Sequence, residues 1–261
     1  MPKIKINDVD HYYESSGEGS PLLFIHGLGS STQDWDLQVA YFSKFYQVIT
    51  YDVRGHGQSE KPAGPYSIRQ FAADASALMQ ALKLGPLHVA GISMGGAIAY
   101  QLALDAPKLV KSLTVVNFTP ELMMETFKER MNLFSRKLIV RLLGMRKMGK
   151  VLSERLFPKP EHEELRGRFI NSWAKNDTRA YLSAMNALVG WSVVDRLGEI
   201  DCPVLVIASD EDYTPIASKE AYMDKLKQAE LFVIADARHA VTVERPNAFN
   251  DVLNGFLGKR N

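Results

Sequence analysis

The chain has 261 residues, 46% hydrophobic and 23% charged, with a formal net charge of +1. That balance suits one large globular α/β domain with room for an inserted subdomain, and excludes disordered, collagen-like and disulfide-stapled chains. Near-neutral charge supplies no whole-molecule field for nucleic acid, and the single cysteine, Cys202, can form neither an internal disulfide nor a cysteine-rich metal site. The start, Met1-Pro2-Lys3-Ile4-Lys5, lacks the apolar core of a signal peptide. No run approaches the roughly 18 apolar residues that span a bilayer, so a cytoplasmic protein is expected.

In chain order, Ile4–Glu14 alternates weakly around Asn7-Asp8-Val9-Asp10, which predicts an antiparallel hairpin at a sheet edge. Pro21–Ile25, Tyr46–Tyr51, Leu87–Ala90 and Leu113–Val116 read as buried strands. Between them, Ser67–Leu82 carries apolar residues at helical spacing, and Ser67 with Gln70 forms a capping-box start. Pro203–Ala208 and Leu231–Ala235 are two more buried strands, followed by a final helix over Pro246–Leu257. Strands separated by helices predict a mostly parallel sheet with helices on both faces. From Pro120 to Glu199 the strand signal vanishes. This stretch is helical, rich in Met and basic residues, and broken by Gly144, Gly149, Pro158 and Pro160. The expected organisation is a core in two parts, 1–119 and 200–261, with a helical cap over 120–199 between them.

The strongest chemical signal is Gly91-Ile92-Ser93-Met94-Gly95-Gly96, between the strand ending at Ala90 and a helical run over Ala97–Ala106. A serine wedged into so tight a turn is a nucleophile elbow, which exposes its hydroxyl at the carboxyl end of the sheet. The Met94 N–H, at the helix start, points toward a developing oxyanion. A serine hydroxyl needs a base. Among six histidines, His239 alone follows the last strand in a loop able to reach the elbow, within Asp236-Ala237-Arg238-His239-Ala240. His11, His88 and His162 lie at the sheet edge, a strand start and the insertion. The acid that orients the base is expected in Ser209-Asp210-Glu211-Asp212-Tyr213-Thr214-Pro215, with Asp212 preferred and Asp210 the alternative. The position after the preceding strand, Val116-Asn117-Phe118, offers no carboxylate. A second oxyanion donor is expected from Leu28 in Phe24-Ile25-His26-Gly27-Leu28-Gly29, where glycines let the backbone approach Ser93. His26 reads as a structural hydrogen-bonding residue and Trp35 as core packing.

These blocks, with Tyr51-Asp52-Val53-Arg54-Gly55-His56-Gly57-Gln58-Ser59, resemble the α/β-hydrolase fold superfamily over nearly the whole chain. The resemblance implies an eight-stranded sheet with a helical cap after the sixth strand, and structural roles for Asp52, Arg54, His56 and Ser59. Two departures stand out: Arg238 occupies a position usually held by glycine before the base, and the acid loop is one residue shorter than common.

The reading that follows is a cofactor-free, metal-free serine hydrolase acting through Ser93, His239 and Asp212, with Leu28 and Met94 as oxyanion donors. Serine at the elbow argues against the epoxide-hydrolase and dehalogenase branches, which carry aspartate there. The amino-terminal half looks closest to the carboxylesterase and 3-oxoadipate enol-lactonase branch, and a carboxylesterase is favoured. Lactonase, carbon–carbon bond hydrolase and acyltransferase remain alternatives, as does a silent ligand-binding protein on the same fold. Met123, Met124, Phe127, Leu142, Met145 and Met148 are candidate apolar linings of an ester pocket. The basic amphipathic segment from Arg136 to Lys147 is expected to pack its Leu/Ile face on the core rather than on a lipid surface. The expected partner is a small-molecule ester or lactone, with no nucleic acid and no membrane, and a homodimer is admitted as an assembly.

Overall fold

In the computed structural model, which describes residues 2–260, the apolar runs pair into one eight-stranded sheet. The strands are β1 (Lys3–Ile6), β2 (Val9–Ser16), β3 (Ser20–Ile25), β4 (Tyr46–Tyr51), β5 (Leu87–Ile92), β6 (Val110–Val116), β7 (Val204–Ser209) and β8 (Ala229–Ile234). Their spatial order is β1-β2-β4-β3-β5-β6-β7-β8. The β1–β2 and β2–β4 pairs are antiparallel, and every later pair is parallel. The expected edge hairpin is therefore β1–β2.

Alternate residues of each central strand enter opposite cores, as the two-residue period of a strand requires. Leu23, Ile25, Val89 and Val115 face α2 (Ile68–Ala81) and α3 (Met94–Asp105), while Leu22, Phe24, Ala90 and Val116 face α1 (Asp36–Phe42) and the carboxyl-terminal helix. Two-sided burial explains why β5 and β7 are buried at every residue and mostly apolar. The Ser67 hydroxyl caps α2 by accepting the Gln70 N–H at 3.1 Å. β8 differs from its expected burial: Phe232 and Val233 are exposed because the last strand of the order has one neighbour only.

Between β6 and β7 lie α4 (Phe127–Leu156), α5 (Glu163–Trp173) and α6 (Thr178–Leu188), with only an isolated bridge, Glu121 to Ser192, for β structure among the described residues. A full capping box, Thr126 with Glu129, starts α4. Gly144 breaks it with φ 76° and ψ 176°, so α4 is two helical segments joined at a kink. Gly149, also expected as a break, stays helical. Its missing side chain admits Trp173, whose Cβ would lie 2.9 Å from an added methyl. Val140, Met145, Met148, Trp173, Tyr181 and Met185 form a small core within this segment, separate from the two sheet cores.

After β7 come α7 (Ile216–Glu220), α8 (Val241–Glu244) and α9 (Pro246–Gly258). Parallel register brings the carboxyl ends of neighbouring strands level, with Ile25 opposite Gly91, Ile92 opposite Val116 and Ser209 opposite Ile234. The loops after five strands consequently converge at one end of the sheet, the place where open α/β sheets carry their chemistry.

Candidate active site

Ser93 sits at the β5–α3 junction with φ 55° and ψ −120°, a conformation that side-chain-bearing residues rarely adopt. Both flanking glycines are required by contact. A methyl on Gly91 would meet the Gly95 carbonyl at 2.1 Å, and one on Gly95 would meet the Ile25 carbonyl at 2.1 Å. Holding the turn, the Ser93 N–H donates to the Val116 carbonyl at 3.0 Å. Met94 is the first residue of α3, so its N–H lies outside the intrahelical ladder. Leu28 lies in the loop after β3, and its N–H enters no backbone hydrogen bond among the described residues. Gly27 approaches the elbow, since a methyl there would stand 3.4 Å from the Ser93 Cβ. Gly29 serves a different contact: at φ 78°, it lies against the Trp173 indole of the cap, 2.8 Å from an added methyl.

His239, on the β8–α8 loop, engages Asp212, on the β7–α7 loop, with 2.8 Å between Nδ1 and Oδ1. The side chain of Asp212 is fully buried, and its second oxygen has two further donors. One is the Thr214 hydroxyl, and the other is Lys219 Nζ at 3.1 Å. Lys219 is itself fully buried and also donates to the Thr214 carbonyl and hydroxyl, each at 2.6 Å, which accounts for all its protons. Burial alone would raise the Asp212 pKa. The hydrogen bond and charge of His239, then Thr214 and Lys219, outweigh it and hold the carboxyl below the ordinary aspartate range. Burial lowers the pKa of Lys219, and Asp212 opposes that shift.

Asp210, the alternative acid, points elsewhere. Its carboxylate accepts the N–H groups of Asp236 and Ala237 at 3.0 and 3.1 Å and so braces the loop that carries His239. Asn117, directly after β6, does the same in place of a carboxylate. Its amide donates to the carbonyls of Arg238 and His239 at 3.2 and 3.1 Å and to the Ser209 hydroxyl at 2.8 Å. Arg238 needs no glycine-like backbone, and its N–H and guanidinium bind Glu244 while the guanidinium also pairs with Glu211.

The hydrogen bond on His239 Nε2 runs to the Tyr213 hydroxyl, at 2.7 Å, rather than to Ser93. The phenol ring stacks on the imidazole with centroids 4.2 Å apart, and Ser93 is among the groups that influence its hydroxyl. Tyr213 thus occupies the Nε2 face of the histidine. The residue is 68% exposed, so His239 is its main packing partner.

The remaining histidines and the Asp52 block are built into the frame. His26 accepts the Val53 N–H on Nε2 at 3.0 Å, donates from Nδ1 to the Gly27 carbonyl at 2.8 Å, and is held neutral by burial, which lowers its pKa to about 4. His56, His88, His11 and His162 are buried as well. Asp52 accepts the Thr32 and Gln58 N–H groups at 2.8 and 2.6 Å, Arg54 pairs with buried Asp74, and Ser59 ties Asp52 to Tyr12. Trp35 stacks on Phe24 with centroids 4.5 Å apart in the core.

From the cap, Asn176 donates to the Gly29 carbonyl at 2.8 Å, fastening α5 and α6 to the loop that carries Leu28. Arg136, on α4, donates to the Tyr181 hydroxyl at 2.6 Å, and its guanidinium carbon lies 6.0 Å from the Trp173 ring centroid. Its positive charge is felt at Tyr213. The expected apolar linings mostly lie elsewhere. Phe127 and Leu142 face solvent, at 80% and 71% exposure, and Met123 is exposed, whereas Met145 and Met148 are buried in the cap's own core. They follow the cap's internal periodicity, which sequence spacing alone could not orient toward or away from the sheet.

Four residues near the site were not singled out in the sequence: Tyr213, Lys219, Asn117 and Arg136. Asn117 had a readable signal, an asparagine directly after a strand, the residue type that readily takes the left-handed backbone found there at φ 49°. Lys219 had none, since a lysine in a short helix reads as a solvated charge.

The chain belongs to the α/β-hydrolase fold family, whose model matches residues 20–246. Two similar proteins are from Acinetobacter baylyi. An (E)-2-((N-methylformamido)methylene)succinate hydrolase is 31% identical, covering 96% of this chain and 95% of that protein. A 3-oxoadipate enol-lactonase is also 31% identical, covering 97% and 95%. Among solved structures, the enol-lactonase of Burkholderia xenovorans superposes with a TM-score of 0.90 at 26% identity, covering 98% of this chain and all of that one. The chain is accordingly a hydrolase of this family.

Proposed function

We propose that the protein hydrolyses carboxylic esters through a Ser93–His239–Asp212 triad and an acyl-enzyme. The observation that carries this reading is the convergence, at one end of the sheet, of a strained serine and a histidine held 2.8 Å from a buried aspartate. Ser93 Oγ bonds to the ester carbonyl carbon while its proton passes to His239 Nε2, and the imidazolium is stabilised by Asp212. The oxyanion is received by the N–H groups of Leu28 and Met94, each such donor contributing about 3–4 kcal/mol. Collapse breaks the bond to the leaving alkoxide, which takes the proton from His239. Water, deprotonated by the same histidine, then attacks the acyl-enzyme; the bond to Ser93 Oγ breaks, the serine takes the proton back from His239, and the acid is released. Before any of this, the Tyr213 hydroxyl must leave His239 Nε2, and its exposure makes that displacement small in cost.

Short-chain p-nitrophenyl esters test the reading: turnover is expected in the wild type and lost in Ser93→Ala and His239→Ala, and absence of turnover with every acyl length sinks it. A second reading, a lactonase acting on an anionic substrate, is favoured by Arg136. This cation acts electrostatically on Tyr213, and the two Acinetobacter relatives are named for succinate- and oxoadipate-based compounds. In that case Arg136→Met raises KM for a carboxylate-bearing enol-lactone while leaving a neutral ester unaffected.

A further inference from the structure

The cap helix α4 carries a second, unrelated feature on its outer side. Phe127, Met131, Phe134, Leu138 and Leu142 follow one another at helical spacing and are 80%, 42%, 58%, 44% and 71% exposed. At 100° per residue they form a stripe about 80° wide and, at 1.5 Å per residue, about 22 Å long. Val140, which packs in the cap core, lies on the opposite side. The expected burial of this segment's Leu/Ile face is thus only half met: Val140 turns inward, while Leu138, Leu142 and Leu143 face water.

Charge accompanies the stripe. α4 contains nine Lys and Arg against two Glu, a net +7, in a chain whose total is +1; the remaining residues therefore carry −6. None of the nine basic side chains forms an ion pair among the described residues. Arg130 and Arg141 are exposed and Lys137 half-buried along one border of the stripe, with exposed Lys128 along the other. Just past the Gly144 kink, a surface groove of about 430 Å³ is lined by Leu143, Arg146, Lys147, Lys150 and Ile170. Unneutralised cations beside exposed apolar side chains match a surface that is apolar and anionic at once.

We infer that the outer face of α4 docks on an anionic lipid surface, with the apolar stripe entering the headgroup boundary and the flanking cations facing lipid phosphates. No helix among the described residues is long and apolar enough to cross a membrane, so the contact is peripheral. A second copy is the poorer occupant for two reasons. A stripe about 22 Å by 10 Å offers about 220 Å², against the roughly 800 Å² per partner of a stable interface. Both of its borders are also basic, so self-pairing opposes like charges. The inference does not depend on which bond the active site cleaves.

The test is co-sedimentation of the full chain with vesicles of phosphatidylglycerol or of phosphatidylcholine at low and raised salt, alongside light scattering without lipid. The wild type is expected to pellet with phosphatidylglycerol alone and to be released by salt. Phe134→Ser/Leu142→Ser and Lys137→Glu/Arg141→Glu should each weaken binding roughly tenfold or more, with circular dichroism and turnover of a soluble ester unchanged. Failure to pellet with either lipid overturns the inference, as does equal binding to both. A wild-type dimer that Phe134→Ser/Leu142→Ser dissolves assigns the face to a second copy and overturns it as well.

Discussion

The sheet domain and the cap handle charge in opposite ways. At the carboxyl end of the sheet, charged groups are closed into pairs: Asp212 between His239 and Lys219, Asp210 on two backbone N–H groups, Arg238 between Glu211 and Glu244. On α4, none of nine cations forms an ion pair among the described residues, and four of them, Lys128, Arg130, Lys137 and Arg141, flank an exposed apolar stripe. A closed network fixes geometry, because each member's position is determined by several partners. An open surface fixes nothing by itself. The two regions meet where Ala180, Ala184 and Leu188 of α6 enter a sheet core and where Gly29 meets Trp173 and Asn176.

The comparison is broken most severely at the network's centre. Ser93→Ala should lower ester kcat/KM by about 10⁴-fold or more, and Asp212→Asn by a comparable factor through the wrong histidine tautomer. Asp210→Asn should lose much less, and a larger loss there than at Asp212 would reassign the acid. Next comes Lys219→Met, which leaves a buried carboxylate short of one partner and should cost about 3–5 kcal/mol in denaturant titration. It also withdraws a cation from the acid that faces His239, so the acidic limb of the kcat/KM profile should move to higher pH; an unmoved limb would leave Lys219 with a packing role alone.

A milder change tests the contact between the regions. Asp34, before the core residue Trp35, has its pKa raised to about 7, first by burial and then by Asp36, with Arg168 of the cap opposing. Its folded pKa lies above its unfolded value near 4, so its ionisation destabilises the fold progressively as pH rises from about 4 to about 7, and fully above that. Asp34→Asn should therefore raise stability at pH 8 by about 1–2 kcal/mol and leave it unchanged near pH 4, read from urea midpoints at both values. The smallest effect is expected from Tyr213→Phe. Removing one hydroxyl that competes for His239 should increase fluorophosphonate labelling of Ser93 a few-fold, the worth of about one ordinary hydrogen bond. A loss beyond tenfold would instead show the phenol passing the serine proton to the histidine.

Much of the sheet domain was legible because its signals are local. Gly91 and Gly95 flank Ser93 for steric reasons that any reader of the elbow can anticipate, and their 2.1 Å conflicts with neighbouring carbonyls bear this out. The apolar runs of β3, β5 and β7 reveal two-sided burial directly. The cap was legible only as helix. Leu138 and Val140 are alike in residue class and two positions apart, yet one faces water and the other a core.

By itself, then, the sequence determined the elements, their alternation and the residue types able to perform acyl transfer, because hydrophobic period, turn chemistry and the elbow act over a few neighbouring residues. The pairing of Asp212 rather than Asp210 with His239, the buried Lys219 behind it, the Tyr213 hydroxyl before it and the outward turn of the α4 stripe were decided by tertiary structure. Each depends on which distant groups share a space, and a one-dimensional pattern carries no distances between loops 27 residues apart, such as those of Asp212 and His239.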